Sequence, residues 1–209
     1  MTLNNRGQAP AWLNVSRETL ERLDSFVSLV EKWNPVINLV AKGSLPQAWE
    51  RHVLDSAQLF LLCPDDARQW VDLGSGGGFP GVVVSAIARE LRPDLKVDLV
   101  ESDKRKAAFL AQVGRELGLS FRVSTERSES LPRCNADVVS ARALAPLVNL
   151  CALADRHLCE NGIAIFPKGA QAELELADAA RLWRFDAESV QSLTDQSGHI
   201  ITLKNIRHV

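Results

Sequence analysis

The stretch VDLGSGGGFPG, Val71 to Gly81, sets five glycines and a proline between two aliphatic runs. Glycines at this density let a ligand approach the backbone closely and permit turns that side chains resist. Gly76, Gly78 and Gly81 satisfy the G-x-G-x-x-G of a dinucleotide-binding turn. Gly74, Gly76 and Gly78 satisfy the G-x-G-x-G of S-adenosylmethionine-dependent methyltransferases. The pattern alone fits either. Register favours the second, because the dinucleotide reading would carry a strand through Gly74 and Ser75, both poor strand residues. Pro80 favours it too. Pyrophosphate calls for free N–H groups at a helix start, and proline removes one. Glu101, ending the apolar run KVDLV, suits the two ribose hydroxyls of an adenosine and serves both cofactor classes.

These residues need elements to hold them at one end of a sheet. Leu20, Leu23, Phe26, Val27 and Val30 recur at helical spacing behind Ser16, a natural N-cap. A break over WNPVINLVAKGSLP follows, and then a second helix from about Gln47 to Leu62, stopped by Pro64. Beyond it strands and helices alternate. WVDL, KVDLVE, FRVS, ADVVS and GIAIFP read as strands, with helices over 80–91, 104–117, 146–158 and 171–183. HIITLK closes the chain as a strand, paired with AESVQSL across the DQSG turn. This alternation means an α/β fold, a mostly parallel sheet with helices on both faces and an N-terminal helical extension. The expected division is a helical cap over 1–66 packed on a core over 67–209.

Composition narrows the class. The 209 residues suffice for one well-buried core. Formal net charge is −2, which argues against a protein that coats nucleic acid. The compact basic cluster SDKRK (Ser102–Lys106), with Arg115, Arg122, Arg127 and Arg133, offers a local patch, although residues 101–133 carry seven basic and five acidic groups. The four cysteines form no CxxC pair and the histidines are scattered, so no metal site is expected. The N-terminus lacks the n- and h-regions of a signal peptide, and no aliphatic run is long enough to span a bilayer. A cytoplasmic protein is the expectation.

With KWNPVINL (Lys32–Leu39), RHVLDS (Arg51–Ser56), VESDKRKAAFL, ERSESLP, VSARALAPL and FPKG added to the glycine turn, the chain resembles the bacterial 16S ribosomal RNA guanine-N7 methyltransferases from about Arg17 to its end. The resemblance implies a class I, Rossmann-like methyltransferase fold, S-adenosylmethionine as methyl donor, and 16S rRNA as partner, presented within the small (30S) subunit. Position matching puts cofactor contacts on Gly74, Phe79, Ser128, Glu129 and Arg142. Asp72, Gly76, Gly78 and Glu101 complete the expected cofactor-binding set. One departure stands out: Val40 follows Asn38-Leu39 where the family often has threonine, which removes a hydroxyl there.

Guanine N7 carries a ring lone pair, so its methylation needs alignment with the methyl group and no general base, covalent nucleophile or metal. The segment SARALAP fits this, since it lacks the Asn/Asp-Pro-Pro-aromatic tetrapeptide of amino-group methyltransferases. The substrate-positioning candidates are Asn38 after the first helix, His52 on the second, Arg142 after the fourth strand and Lys168 after the fifth. His52 and Asp55 share a helix face, Arg142 offers a fork of donors, and Lys168 can reach phosphate or guanine O6. An NAD-type oxidoreductase and a non-catalytic adenosylmethionine-binding ribosome factor are the competing readings.

Overall fold

The computed structural model describes residues 9–209; the opening of the segment read as leaderless, residues 1–8, lies outside it. Helix α1 (Arg17–Ile37) starts where the sequence places it, at Ser16, whose Oγ accepts the Thr19 N–H. Loss of such a cap costs about 1 kcal/mol. Glu90 then fastens this end to the core, accepting from the Ser16 N–H (2.8 Å), Ser16 Oγ (2.8 Å) and Thr19 Oγ1 (2.6 Å). The expected break at Trp33 comes later. The helix runs through Pro35 and ends at Asn38, in the left-handed region at φ 48, whose N–H still reaches the Asn34 carbonyl. Proline in the last turn forfeits one backbone bond without stopping the helix.

The expected second helix, from about Gln47 to Leu62, is two short pieces, with a further turn before it inside the expected break. A 3₁₀ turn (Lys42–Gln47) leads into a π-helical turn (Trp49–Leu54) and then α2 (Asp55–Phe60). Seven strands follow: β1 (Gln69–Leu73), β2 (Lys96–Val100), β3 (Phe121–Ser124), β4 (Ala136–Ser140), β5 (Leu158–Lys168), β6 (Trp183–Gln191) and β7 (His199–His208). They form one sheet in the order β3-β2-β1-β4-β5-β7-β6. β3 through β5 are parallel, and β7 pairs antiparallel with both β5 and β6. The order reverses between β1 and β4. In open α/β sheets that switch point, at the carboxyl ends of the strands, is where ligands bind.

Period-two alternation sends successive side chains to opposite faces. Trp70, Leu99 and Val138 pack on one side against α1, α3 (Gly81–Leu91) and α4 (Lys104–Leu117). Val71, Val139 and Phe166 pack on the other against α5 (Leu147–His157) and α6 (Ala172–Ala179). The expected helix over 171–183 is shorter, because Trp183 already belongs to β6. Leu23, Phe26, Trp49 and Val53 of the helical segment sit in the same hydrophobic cluster as Val82 and Ile87 of α3, so the segment shares its core with the sheet.

Candidate functional site

A cavity of about 1380 Å³ opens over the carboxyl ends of β1, β2 and β4. Its floor is the glycine turn. β1 ends at Leu73 and Gly74 begins the turn, the register of the G-x-G-x-G reading. Gly74 (φ +66) and Gly76 (φ +55) both line the cavity in a backbone region that side chains resist. Gly77 lets the chain just after α1 approach the turn: a Cβ there would lie 3.0 Å from the Leu39 carbonyl oxygen. Glu101, buried at the end of β2, accepts the Gly76 N–H at 2.8 Å on Oε2 and the Asp103 N–H at 2.7 Å on Oε1. Each oxygen keeps a lone pair for a vicinal diol. The seat for an adenosine is therefore compatible with S-adenosylmethionine in shape and in donor set.

Phe79 ends the turn and stands at the centre of a cluster of tilted rings and a guanidinium. Its ring centroid lies 4.9 Å from that of Phe26, 5.1 Å from that of His52 and 5.1 Å from the guanidinium carbon of Arg142. Arg142 follows β4, just before Ala143, a non-glycine residue at φ 53. Its Nη1 sits 3.3 Å from both Asp55 Oδ2 and the Arg51 carbonyl. That leaves part of the donor fork for a ligand. A guanidinium over an aromatic face is held in place electrostatically as well.

His52 is fixed by a hydroxyl relay. Ser44 Oγ donates to the Ala41 carbonyl at 2.7 Å, so its lone pair accepts the Nε2–H of His52, also at 2.7 Å. This arrangement assigns the ring to the Nε2–H tautomer, and among the described residues its buried Nδ1 meets no hydrogen-bond partner. Burial first, then the charges of Arg142 and Arg51, lower its pKa to about 4. The imidazole is neutral near pH 7.

Of the expected residues, Gly74, Gly76, Phe79, Glu101, Ser128, Glu129, His52, Arg142 and Lys168 all line this one cavity. Ser128 is held from behind, its carbonyl accepting from buried His157 Nε2 at 2.8 Å. Lys168 is already engaged, donating to Glu175 Oε2 (2.8 Å) and the Ala145 carbonyl (3.1 Å). Three expected residues are elsewhere. Asn38 caps α1 as an exposed left-handed residue outside the cavity lining. Asp72 is fully buried, its Oδ1 accepting from Ser140 Oγ (2.7 Å) and its Oδ2 from the Gly81 N–H (3.1 Å). Burial pushes its carboxyl up to about 6 against these hydrogen bonds. Gly78 (φ +94) exists for packing, since a Cβ would lie 2.7 Å from Val82 Cγ2 and 2.9 Å from Phe26 Cζ.

The residues of the expected basic patch have different surroundings. Lys106 and Arg127 reach the cavity, but Arg122 pairs with Asp98 and Arg133 donates to the Leu158 carbonyl. Sequence reasoning missed Leu144, which folds over Gly74, and the β6–β7 turn, whose Ser192, Thr194 and Asp195 form one wall. It placed Asp55 beside His52 but gave it no task; here Asp55 holds Arg142. Among the described residues no group of three His, Cys, Asp or Glu side chains could hold a metal ion, and no helix is long and apolar enough to cross a membrane.

Solved structures support the fold. A methyltransferase from Geobacter sulfurreducens superposes with a TM-score of 0.60 at 13% identity, over 95% of this chain and 91% of that one. A SAM-dependent methyltransferase from Aquifex aeolicus gives 0.57 at 14% identity, over 83% and 96%. The sequence has nearer relatives. Proteins named ribosomal RNA small subunit methyltransferase G are 52% identical in Cereibacter sphaeroides (strain ATCC 17029), over 95% of this chain and 97% of that one, and 48% identical in Ruegeria sp. (strain TM1040), over 97% and 98%. The family model GidB, rRNA small subunit methyltransferase G, matches residues 19–203, and the chain belongs to that family.

Proposed function

We propose that this protein methylates N7 of a guanine in 16S rRNA, with S-adenosylmethionine as donor. The observation that carries the reading is the convergence, in one cavity at the switch point, of a glycine turn, a strand-end carboxylate and the Phe79–Arg142–His52 cluster. The bound donor supplies an electrophilic methyl group on a sulfonium. Gly76 leaves room for it, Gly74 turns the backbone beneath Leu144, Glu101 takes the ribose hydroxyls, and the 128–129 segment closes the far side. Arg142 presents donors to the O6 edge of the guanine, and His52, neutral and fixed, forms the wall opposite. Rate then comes from alignment, which is worth roughly 7–11 kcal/mol when two reactants are held in attack geometry.

The helical segment before Ala67 acts as the acceptor-side cap, and the acceptor is the small ribosomal subunit, which places the reaction in the cytoplasm. A near-neutral surface matches a folded particle that presents its base, with little need for a broad phosphate-binding face. Incubation with labelled S-adenosylmethionine and unmodified small subunits, followed by mapping of the product, is expected to show 7-methylguanosine at one 16S position. Label on another atom, or none, overturns the reading. Equal rates on bare rRNA and on intact subunits overturn the particle requirement alone.

A further inference from the structure

Gln58, on α2, is 2% exposed and lies outside every motif considered above. Its Oε1 accepts the Leu193 N–H at 2.8 Å. Its Nε2 is within reach of Asp55 Oδ1 (3.0 Å), Ser192 Oγ (3.0 Å) and Thr194 Oγ1 (3.2 Å). Thr194 Oγ1 is itself 3.2 Å from Asp55 Oδ1, and Asp55 Oδ2 pairs with Arg142. One buried amide thus joins the β6–β7 turn to the carboxylate that holds Arg142, across more than 130 residues of sequence. The cofactor end of the cavity stands on other bonds, from Gly76 and Asp103 to Glu101 and from His157 to Ser128.

We propose that Gln58 is a positioning residue for the acceptor nucleotide: through Asp55 it sets the acceptor-facing donors of Arg142, and through Leu193, Ser192 and Thr194 it sets the 192–195 wall, while the Glu101 and Ser128 parts of the cofactor seat stand on their own bonds. The inference rests on the RNA-methylating reading given above. The amide meets both demands at once through separate atoms, Oε1 as acceptor toward the Leu193 N–H and Nε2 as donor toward the Asp55 carboxylate. A glutamate at this position has the same shape but supplies the donor only when protonated. Ionised, it sets a second carboxylate against Asp55, and burial and that neighbour both raise its pKa.

The test measures methyl transfer to small ribosomal subunits, S-adenosylmethionine affinity by calorimetry, and thermal stability for the full chain. Gln58→Met is expected to lower kcat/KM for subunits about tenfold or more, the scale of a misplaced positioning group. Its S-adenosylmethionine Kd stays within twofold of wild type. Thr194→Val, at a part-buried turn position, shifts the same quantity in the same direction by a smaller factor, and decides the matter if Gln58→Met does not fold. Gln58→Glu is expected to recover, relative to wild type at each pH, as pH falls from 8 to 6. The coupling is overturned if Thr194→Val and a folded Gln58→Met keep kcat/KM within twofold, if S-adenosylmethionine affinity falls in step with activity, or if Gln58→Glu tracks wild type across pH. Wild-type protein that methylates no subunits refutes the proposed reaction instead, so the two failures are told apart.

Discussion

Gly76 and Gly118 make a matched pair that separates backbone strain from ligand contact. Gly76 sits at φ +55 in the cavity floor, and Gly118 at φ +61 caps α4 on its C-terminal side. A Cβ at Gly76 would meet only the Gly74 carbonyl oxygen, at 3.7 Å, and a Cβ at Gly118 would meet nothing within 4 Å. Alanine at either position therefore carries left-handed strain alone, about 1–2 kcal/mol. For a chain of this size that lowers Tm by roughly 2–8 °C, and by similar amounts in the two variants. Their ligand binding should differ. Beyond the Gly76 Cβ lies the cavity, so a cofactor packed against the turn must shift, at a cost of about 1–3 kcal/mol. Converted, that weakens S-adenosylmethionine binding roughly 5- to 150-fold in Gly76→Ala. Gly118→Ala should bind as wild type does. Thermal unfolding and titration calorimetry on the three proteins give both numbers. If Gly76→Ala binds within twofold of wild type, the turn does not seat the donor. If Gly118→Ala loses as much affinity as Gly76→Ala, the loss is one of stability and the argument from the cavity floor fails.

Two further outcomes are expected. Asp72 has a folded-state pKa raised to about 6 by burial, so the native state binds the extra proton and its stability contribution falls as pH rises from about 4 to 6. The shift corresponds to about 3 kcal/mol, and Asp72→Asn, which has no group to titrate there, should gain on wild type by that order between the two ends of the window; parallel stability curves from pH 4 to 7 in urea would contradict the assignment. Arg142→Lys keeps a cation near Phe79 but loses the fork that faces Asp55, the Arg51 carbonyl and the cavity at once, so kcat/KM for methyl transfer should fall about tenfold or more, and unchanged kinetics would remove Arg142 from the site.

What could be read from the sequence was local. α4 runs from Lys104 to Leu117 as expected because its boundaries are written nearby: Asp103 accepts the Arg105 and Lys106 N–H groups, and Gly118 supplies the left-handed stop. β1 and the turn were legible for the same reason. Asp72 and Gly78 sit in that legible stretch, yet their tasks are set by Ser140, Phe26 and Leu110, distant residues that only the fold delivers. Asn38 looked polar and well placed, but the last turn of α1 needed a left-handed cap. The β6–β7 turn had no chemical motif; its place in the wall comes from Gln58 and Asp55, on the opposite side of the chain.

The electrostatics of the cavity bear on why a histidine sits in its wall at all. Methyl transfer from a sulfonium to guanine N7 moves a positive charge onto the base, so any further cation beside the acceptor opposes the step. Two of the cavity's cations are matched by carboxylates, Arg142 by Asp55 and Lys168 by Glu175. Among the described residues no carboxylate pairs with His52. A solvated histidine with an ordinary pKa would be roughly a quarter protonated at pH 7. The ring is buried against Phe79, and burial together with Arg142 and Arg51 brings the pKa to about 4. Ser44 then fixes the remaining proton on Nε2. The imidazole therefore contributes a flat, rigid, uncharged surface at physiological pH. It follows that the methylation rate should show no acid limb near pH 6.5 that disappears in His52→Gln.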